Sequence, residues 1–578
     1  MRVTRALFLA AALAPLLAGC ETMNSLVPPK TWFSSSDSEA ESRTTAQQSQ
    51  SYGDYLNARF AASEHNMVDA ARFYRESLQT DPNNADLLAR AFLFTASAGD
   101  VDSAGKYAQA VIDQEADNRA ARMTLAIVAM HNSNYSDARS QLAHSATGPF
   151  TALTISLLDA WAAAGEKDPD AALKDLSQLK SQGGTDALEA FHRALILDQA
   201  GRSEDADVAY QEALKAAGNG PRVADAYGRY LERAGRIDDA KAFYSKLEND
   251  AALAPIVAAA KERIRAGVTP QPLVATPEQG AAEALFGIAA SLTDDSSADV
   301  SVLYLRFARY LRPDLDLANI LLADRLETMG KIPEAIEAYK SVDESSPYHE
   351  VASVQVAIDE ARLEKNDEAI AELKAITVAH PNDIEAWTAL GDTYRTLGRF
   401  ADASDAYDHA IQARGSLDAK AWPLLYARAV AEEQSKHWNL AELDLKQALK
   451  LNPEQPEILN YLGYSWVDQG RNLPEALAML EKARALRPFD GYIADSVGWA
   501  YYKVGRYNDA AKALESAVLL VPGDATINDH LGDAYWRVGR KLDARFQWSH
   551  ALAFNPDPKE KDVLESKLKT GLTPTSGG

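Results

Sequence analysis

The chain has 578 residues, more than one hydrophobic core usually organises, so it must be several domains or a repeat array. Hydrophobic residues make up 47% and charged residues 25%, the composition of a folded protein. A formal net charge of −24 argues against nucleic acid as a partner, because a phosphate-binding face needs clustered Lys and Arg, and it predicts repulsion from anionic lipid. The single cysteine, Cys20, leaves no intrachain disulfide and no cysteine-based metal site.

Residues 1–19 have the parts of a secretory signal: Arg2 and Arg5, the apolar run Ala6–Leu17, then small residues. That twelve-residue run is too short to span a bilayer. Leu17-Ala18-Gly19-Cys20 resembles the bacterial lipobox, which is cleaved before a cysteine that then becomes acylated. The resemblance implies a lipid anchor on Cys20, and Glu21 behind it favours the outer membrane over the inner. Residues 20–50 continue as the lipidated cysteine and a tether rich in Ser, Thr and Gln with no helical period, of roughly 30 Å reach as a flexible coil.

From residue 51 the dominant signal is self-similarity. Gly463, Gly498 and Gly532 recur at steps of 35 and 34, as do Gly470, Gly505 and Gly539; Pro488, Pro522 and Pro556 recur at 34. This is the tetratricopeptide (TPR) pattern. Small residues at repeat positions eight and twenty let two helices approach, a glycine turns the chain between them, and a proline ends the second helix. The predicted fold is all-α, an α-solenoid of about 14 TPR helix–turn–helix repeats. Starts fall near 51, 85, 119, 153, 187 and 221 in an N-terminal array (51–266), and near 282, 316, 350, 384, 422, 456, 491 and 525 in a C-terminal array (282–558). Between them 267–281, with Pro270, Pro272 and Pro277, reads as a linker or hinge; residues 559–578 read as a capping helix and tail.

TPR positions two, five, nine, twelve and thirteen line the inner surface. In the last three repeats position five carries Asn460, Asp495 and Asp529, and position nine Tyr464, Trp499 and Asp533. Position twelve carries Val467, Tyr502 and Trp536, and position thirteen Asp468, Lys503 and Arg537. Aromatics flanked by polar groups suit a partner-binding groove; the alternative is that a neighbouring turn or the 559–569 helix covers them. The aspartates would repel a carboxylate, which disfavours gripping of acidic chain ends and favours a basic, partly apolar partner. Asp529 and Asp533, one turn apart, are expected to answer a base such as Arg537 or one from a partner. His530 and His550 could approach each other, although a metal site there is not expected. With no phosphate loop, zinc-protease motif or nucleophile elbow, the chain is read as a non-enzyme without cofactor or metal.

The stretches Leu459–Trp466, Asp495–Tyr502 and Asn528–Trp536 resemble a family of proteobacterial TPR outer-membrane lipoproteins that includes the adaptor of the periplasmic carboxyl-terminal processing protease. That resemblance covers the signal, the length and the last three repeats. It implies an adaptor that holds this protease together with cell-wall hydrolase substrates. The alternative is a scaffold for another envelope machine: a peptidoglycan synthase, polysaccharide exporter or pilus assembly. Oligomeric state is not legible.

Overall fold

The computed structural model describes residues 40–572 apart from 147, 182–184, 218–219 and 251. The signal, Cys20 and most of the expected tether lie outside the described residues. Among the described residues there are thirty α-helices and no strands. They follow one another as fourteen pairs, from Ala40–Ser63 with Met67–Thr80 to Ala525–Arg537 with Lys541–Ala553. Ala254–Ala266 and Pro558–Thr570 stand alone. No described helix is long and apolar enough to cross a membrane.

The first helix begins inside the expected tether. Residues 40–50 are helical because nothing between Ala40 and Tyr52 breaks a helix. The good helix formers Ala, Glu, Arg and Gln there extend a helix whose later turns are held by packing, with Ala58 fully buried.

Two compact units divide at Leu363/Glu364 and not at 267–281. In the first unit the proline-rich stretch redirects the chain without releasing it. Leu273 and Val274 are buried, and the Leu273 carbonyl accepts from Arg312 at 2.9 Å. The helices Pro277–Ser291 and Ala298–Leu311 then form a hairpin that returns onto the first array, packing on the helices Pro149–Gly165 and Ala85–Ala98 respectively. Gly280 is required there, since a β-carbon would lie 2.2 Å from the Trp161 ring. Trp161, fully buried, donates from Nε1 to His192 Nδ1 at 3.0 Å. Thr154 and the Tyr304 hydroxyl meet at 3.2 Å, and Tyr310 donates to Asp102 at 2.5 Å. One continuous apolar core therefore runs from Ala58 to Val356.

The second unit keeps the regular repeat. Its turn glycines Gly470, Gly505 and Gly539 all have positive φ. The small residue at position eight acts as expected: a β-carbon on Gly532 would come within 2.4 Å of the Trp548 indole nitrogen. Asp490 and Asp524 start their helices by accepting backbone N–H groups of the first turn.

Candidate functional site

The predicted groove residues separate into three groups within the second unit. Asn460 and Tyr464 border an open groove of about 380 Å³. Its walls come from three successive first helices: Glu433 and Gln434, then Asn460, Tyr461, Tyr464 and Asp468, then Tyr492 and Asp495. Three carboxylates and three phenols line it, without a lysine or arginine. Glu433 accepts from the Tyr461 hydroxyl at 3.3 Å, while Asp468 is exposed. The buried Asn460 Oδ1 has no hydrogen-bond partner. Burial, then the Asp495, Asp468 and Glu560 carboxylates, push the Tyr464 phenol up to about 12, so it presents a neutral donor. Val467, also predicted to face the groove, is fully buried in the core instead.

Asp495, Trp499 and Tyr502 form the second group, built around a residue that repeat position did not single out. The His530 ring lies on Trp499 at 3.9 Å between centroids, nearly parallel, and Trp499 stacks on Tyr502 at 4.8 Å. His530 Nδ1 donates to Asp495 at 2.9 Å. Arg537 donates to the Tyr502 hydroxyl at 3.2 Å, and the Lys503 ammonium sits 5.0 Å from the Trp499 ring centroid. His550 does not approach His530; it packs between Phe546 and Phe554.

Burial disfavours the His530 cation, but the Asp495 charge and hydrogen bond, with Asp529 and Asp533 behind, outweigh it and raise its pKa. A histidine raised on folding contributes stability that is fully present below its unfolded pKa of about 6.5 and lost as pH rises through the folded value. The second unit should therefore become easier to denature on going from pH 6 to pH 8.5. His530→Gln should flatten that dependence; equal slopes in both proteins would remove His530 as its source.

The third group is covered. The helix Pro558–Thr570, opened by an Asp557–Glu560 capping box, turns Leu564, Lys567, Leu568, Gly571 and Leu572 toward the last repeat. Lys567 bonds Asp529 at 2.7 Å and Asp533 at 2.9 Å, and Trp548 donates to Asp533 at 3.0 Å. A β-carbon on Gly571 would come within 1.9 Å of the Trp536 ring, so the chain lies flat on that indole. Asp529, Asp533 and Trp536 thus belong to an internal contact and not to an open surface. The base that answers the two aspartates is Lys567, while Arg537 binds Tyr502. Repeat position identifies which residues face inward; it does not reveal that the final helix lies on them. The Leu564/Leu568 spacing, with Lys567 between, is the sequence signal for that docking.

Residues 96–150, 357–418, 426–491 and 498–556 match the Tetratricopeptide repeat family model. A TPR repeat-containing protein of Pseudomonas aeruginosa is 35% identical over 89 residues, 15% of this chain and 15% of its own. The cytochrome c-type biogenesis protein CycH of Rhizobium meliloti is 34% identical over 112 residues, 19% of this chain and 29% of its own. The matches thus span well under two thirds of these relatives' lengths. Among solved structures, a tetratricopeptide repeat protein from Parabacteroides merdae is 17% identical, with 44% of this chain and 97% of that one covered and a TM-score of 0.35. The Cut9–Hcn1 hetero-tetramer of the APC/C is 16% identical, with 93% and 99% covered and a TM-score of 0.38. The paired helices and the four matched segments show an all-α fold that carries tetratricopeptide repeats.

Proposed function

We propose that this chain is a non-catalytic scaffold, held at the periplasmic face of the outer membrane by a lipid on Cys20, that takes a basic segment of a protein partner into the groove at Tyr464. The observation that carries the reading is the groove's lining: three carboxylates, of which Asp495 is already bonded to His530, and no lysine or arginine. A Lys or Arg side chain supplies both the charge and the N–H groups, and the phenols of Tyr461, Tyr464 and Tyr492 pack on its stem. Tyr492 is 59% exposed and offers a large apolar contact at little entropic cost. The family resemblance of the last three repeats names the partner as a carboxyl-terminal processing protease with its cell-wall hydrolase substrates.

A second reading, a scaffold for another envelope assembly machine, draws on the likeness to CycH, whose name places it in cytochrome c biogenesis. Photoreactive residues at Tyr464 and Tyr492 in cells separate the two by naming what they capture. A pull-down with active-site-inactivated protease should recover the pair, and Tyr492→Ala with Asp468→Lys should weaken it at least tenfold, the loss of a hot spot and a charge. Failure of the protease to bind, with proteolysis unchanged by the lipoprotein, would remove the first reading.

A further inference from the structure

The first unit contains three arginines on one helix that lack a close carboxylate. Arg229, Arg233 and Arg263 each hold a carboxylate, of Asp225, Asp198 and Glu232, at 2.7, 2.5 and 2.8 Å. Arg222 grips both oxygens of Glu283, with its Nε and one terminal nitrogen. Arg306, Arg309 and Arg312 do not follow this rule. Arg306 has Glu334 at 3.8 Å, and Arg312, which donates to the Leu273 carbonyl at 2.9 Å, has Asp314 at 3.5 Å, a side chain 69% exposed. Arg309 donates to the Ser341 hydroxyl at 3.2 Å. The Nε of each is buried without a hydrogen-bond partner.

These three lie at intervals of three residues along the helix Ala298–Leu311 and its C-cap, a rise of about 9 Å from first to last. Burial pulls Arg306 down to about 10 with Arg309 adding repulsion, and burial with Arg222 does the same to Arg312 in direction. A guanidinium does not escape such a place by losing its proton. It waits for an anion. Arg306 and Arg312 remain 17% and 15% exposed, so an anion can reach them.

At one end of the row Arg312 borders a cavity of about 440 Å³, walled by Arg222, Arg229 and Arg263 and also by Asp225, Asp314 and Asp316. Arg222, Arg229 and Arg263 each hold a carboxylate at 2.8 Å or less, whereas Arg312 has Asp314 only at 3.5 Å, so it is the least closely paired cation of that cavity. Its volume is in the range of small-ligand pockets and admits one or two residues. Alternate side chains of an extended peptide stand about 6.6 Å apart, so two carboxylates two residues apart fit within the length of the row.

We propose that Arg306, Arg309 and Arg312 form a recognition row for an extended acidic segment of a partner protein, one of whose carboxylates enters the cavity on Arg312. This is independent of the groove at Tyr464. Planar forked donors bind carboxylates two bonds at a time.

The test is fluorescence anisotropy on the full chain with a labelled peptide alternating Glu and Ser, against the same peptide with Gln for Glu, at 0.15 M salt. Binding of the Glu peptide alone is expected, with at least a tenfold loss in Arg309→Gln and in Arg312→Gln. Arg309→Lys, which keeps the charge, should retain part of the binding, and circular dichroism of each variant confirms that the unit is folded. Equal binding of the two peptides, no binding of either, or no change in the folded Gln variants would overturn the proposal. So would displacement of the peptide by millimolar sulfate, which would mark a small-anion site.

Discussion

Glu283→Ala is expected to be the most damaging single change in the first unit, at about 3–5 kcal/mol. Glu283 is 2% exposed, and burial alone would raise its pKa; the Arg222 charge and hydrogen bonds, with Arg312 beyond, hold it below the usual carboxylate range instead. Removing the carboxylate leaves two guanidiniums facing each other in a dry setting. Hydrogen exchange read peptide by peptide should show the helices Asp186–Gln199, Pro221–Arg233 and Pro277–Ser291 opening together. Replacing both partners, Arg222→Met with Glu283→Leu, should cost far less, since no charge is then stranded. Wild-type protection in Glu283→Ala would show that the pair contributes nothing.

Lys567→Met is expected to have the next largest effect, with a different reach. One ammonium serves Asp529 and Asp533; burial and the second carboxylate already raise the Asp533 pKa despite it. Without it two carboxylates face each other one turn apart, again about 3–5 kcal/mol of imbalance. The loss is capped at the docking free energy of the last helix, because Pro558–Thr570 can leave while the repeats stay folded. The variant should expose Trp536 to quenchers at neutral pH. Docking should recover on acidification as Asp533 takes up a proton, because a group with a raised folded pKa favours the folded state below that value. In the wild type Lys567 is also raised, so docking should hold at neutral pH and fail only as pH climbs past the ordinary lysine value of about 10.4. A helix equally protected in Lys567→Met would sink this account.

The regular part of the fold was legible because its determinants are local. Gly532 must be small to admit Trp548 within the same repeat, and Asp524 caps the helix it precedes, so each leaves a mark every 34 residues. The return of the hairpin at 277–311 left none. Its contacts, such as Thr154 with Tyr304 and Asp102 with Tyr310, join residues 150 and 208 positions apart, and no period records them. The proline-rich segment read as a linker or hinge; nothing in the repeat period records that Leu273 and Val274 within it are buried. The candidate groove was half legible. Repeat position identified Asn460 and Tyr464 at an open wall, but which inward residues stay open depends on where the last helix lies, which the repeat pattern does not encode. The unfilled arginines were invisible for the same reason, since only the folded chain shows which carboxylates they lack.

The returning hairpin also changes how the first unit must fold. An ordinary repeat stack can grow from any nucleus by adding neighbours. Here Trp161 has no lid until Gly280 arrives, and the partner of Asp102 is made 208 residues later. The first half of the unit must leave the ribosome, and by the reading above cross a membrane, with that surface still open. Loops of this length close slowly. The unit is then an all-or-none structure inside an otherwise gradual one: truncations that trim repeats singly from the second unit should be tolerated, whereas any that remove residues 277–311 should leave the first array without a core.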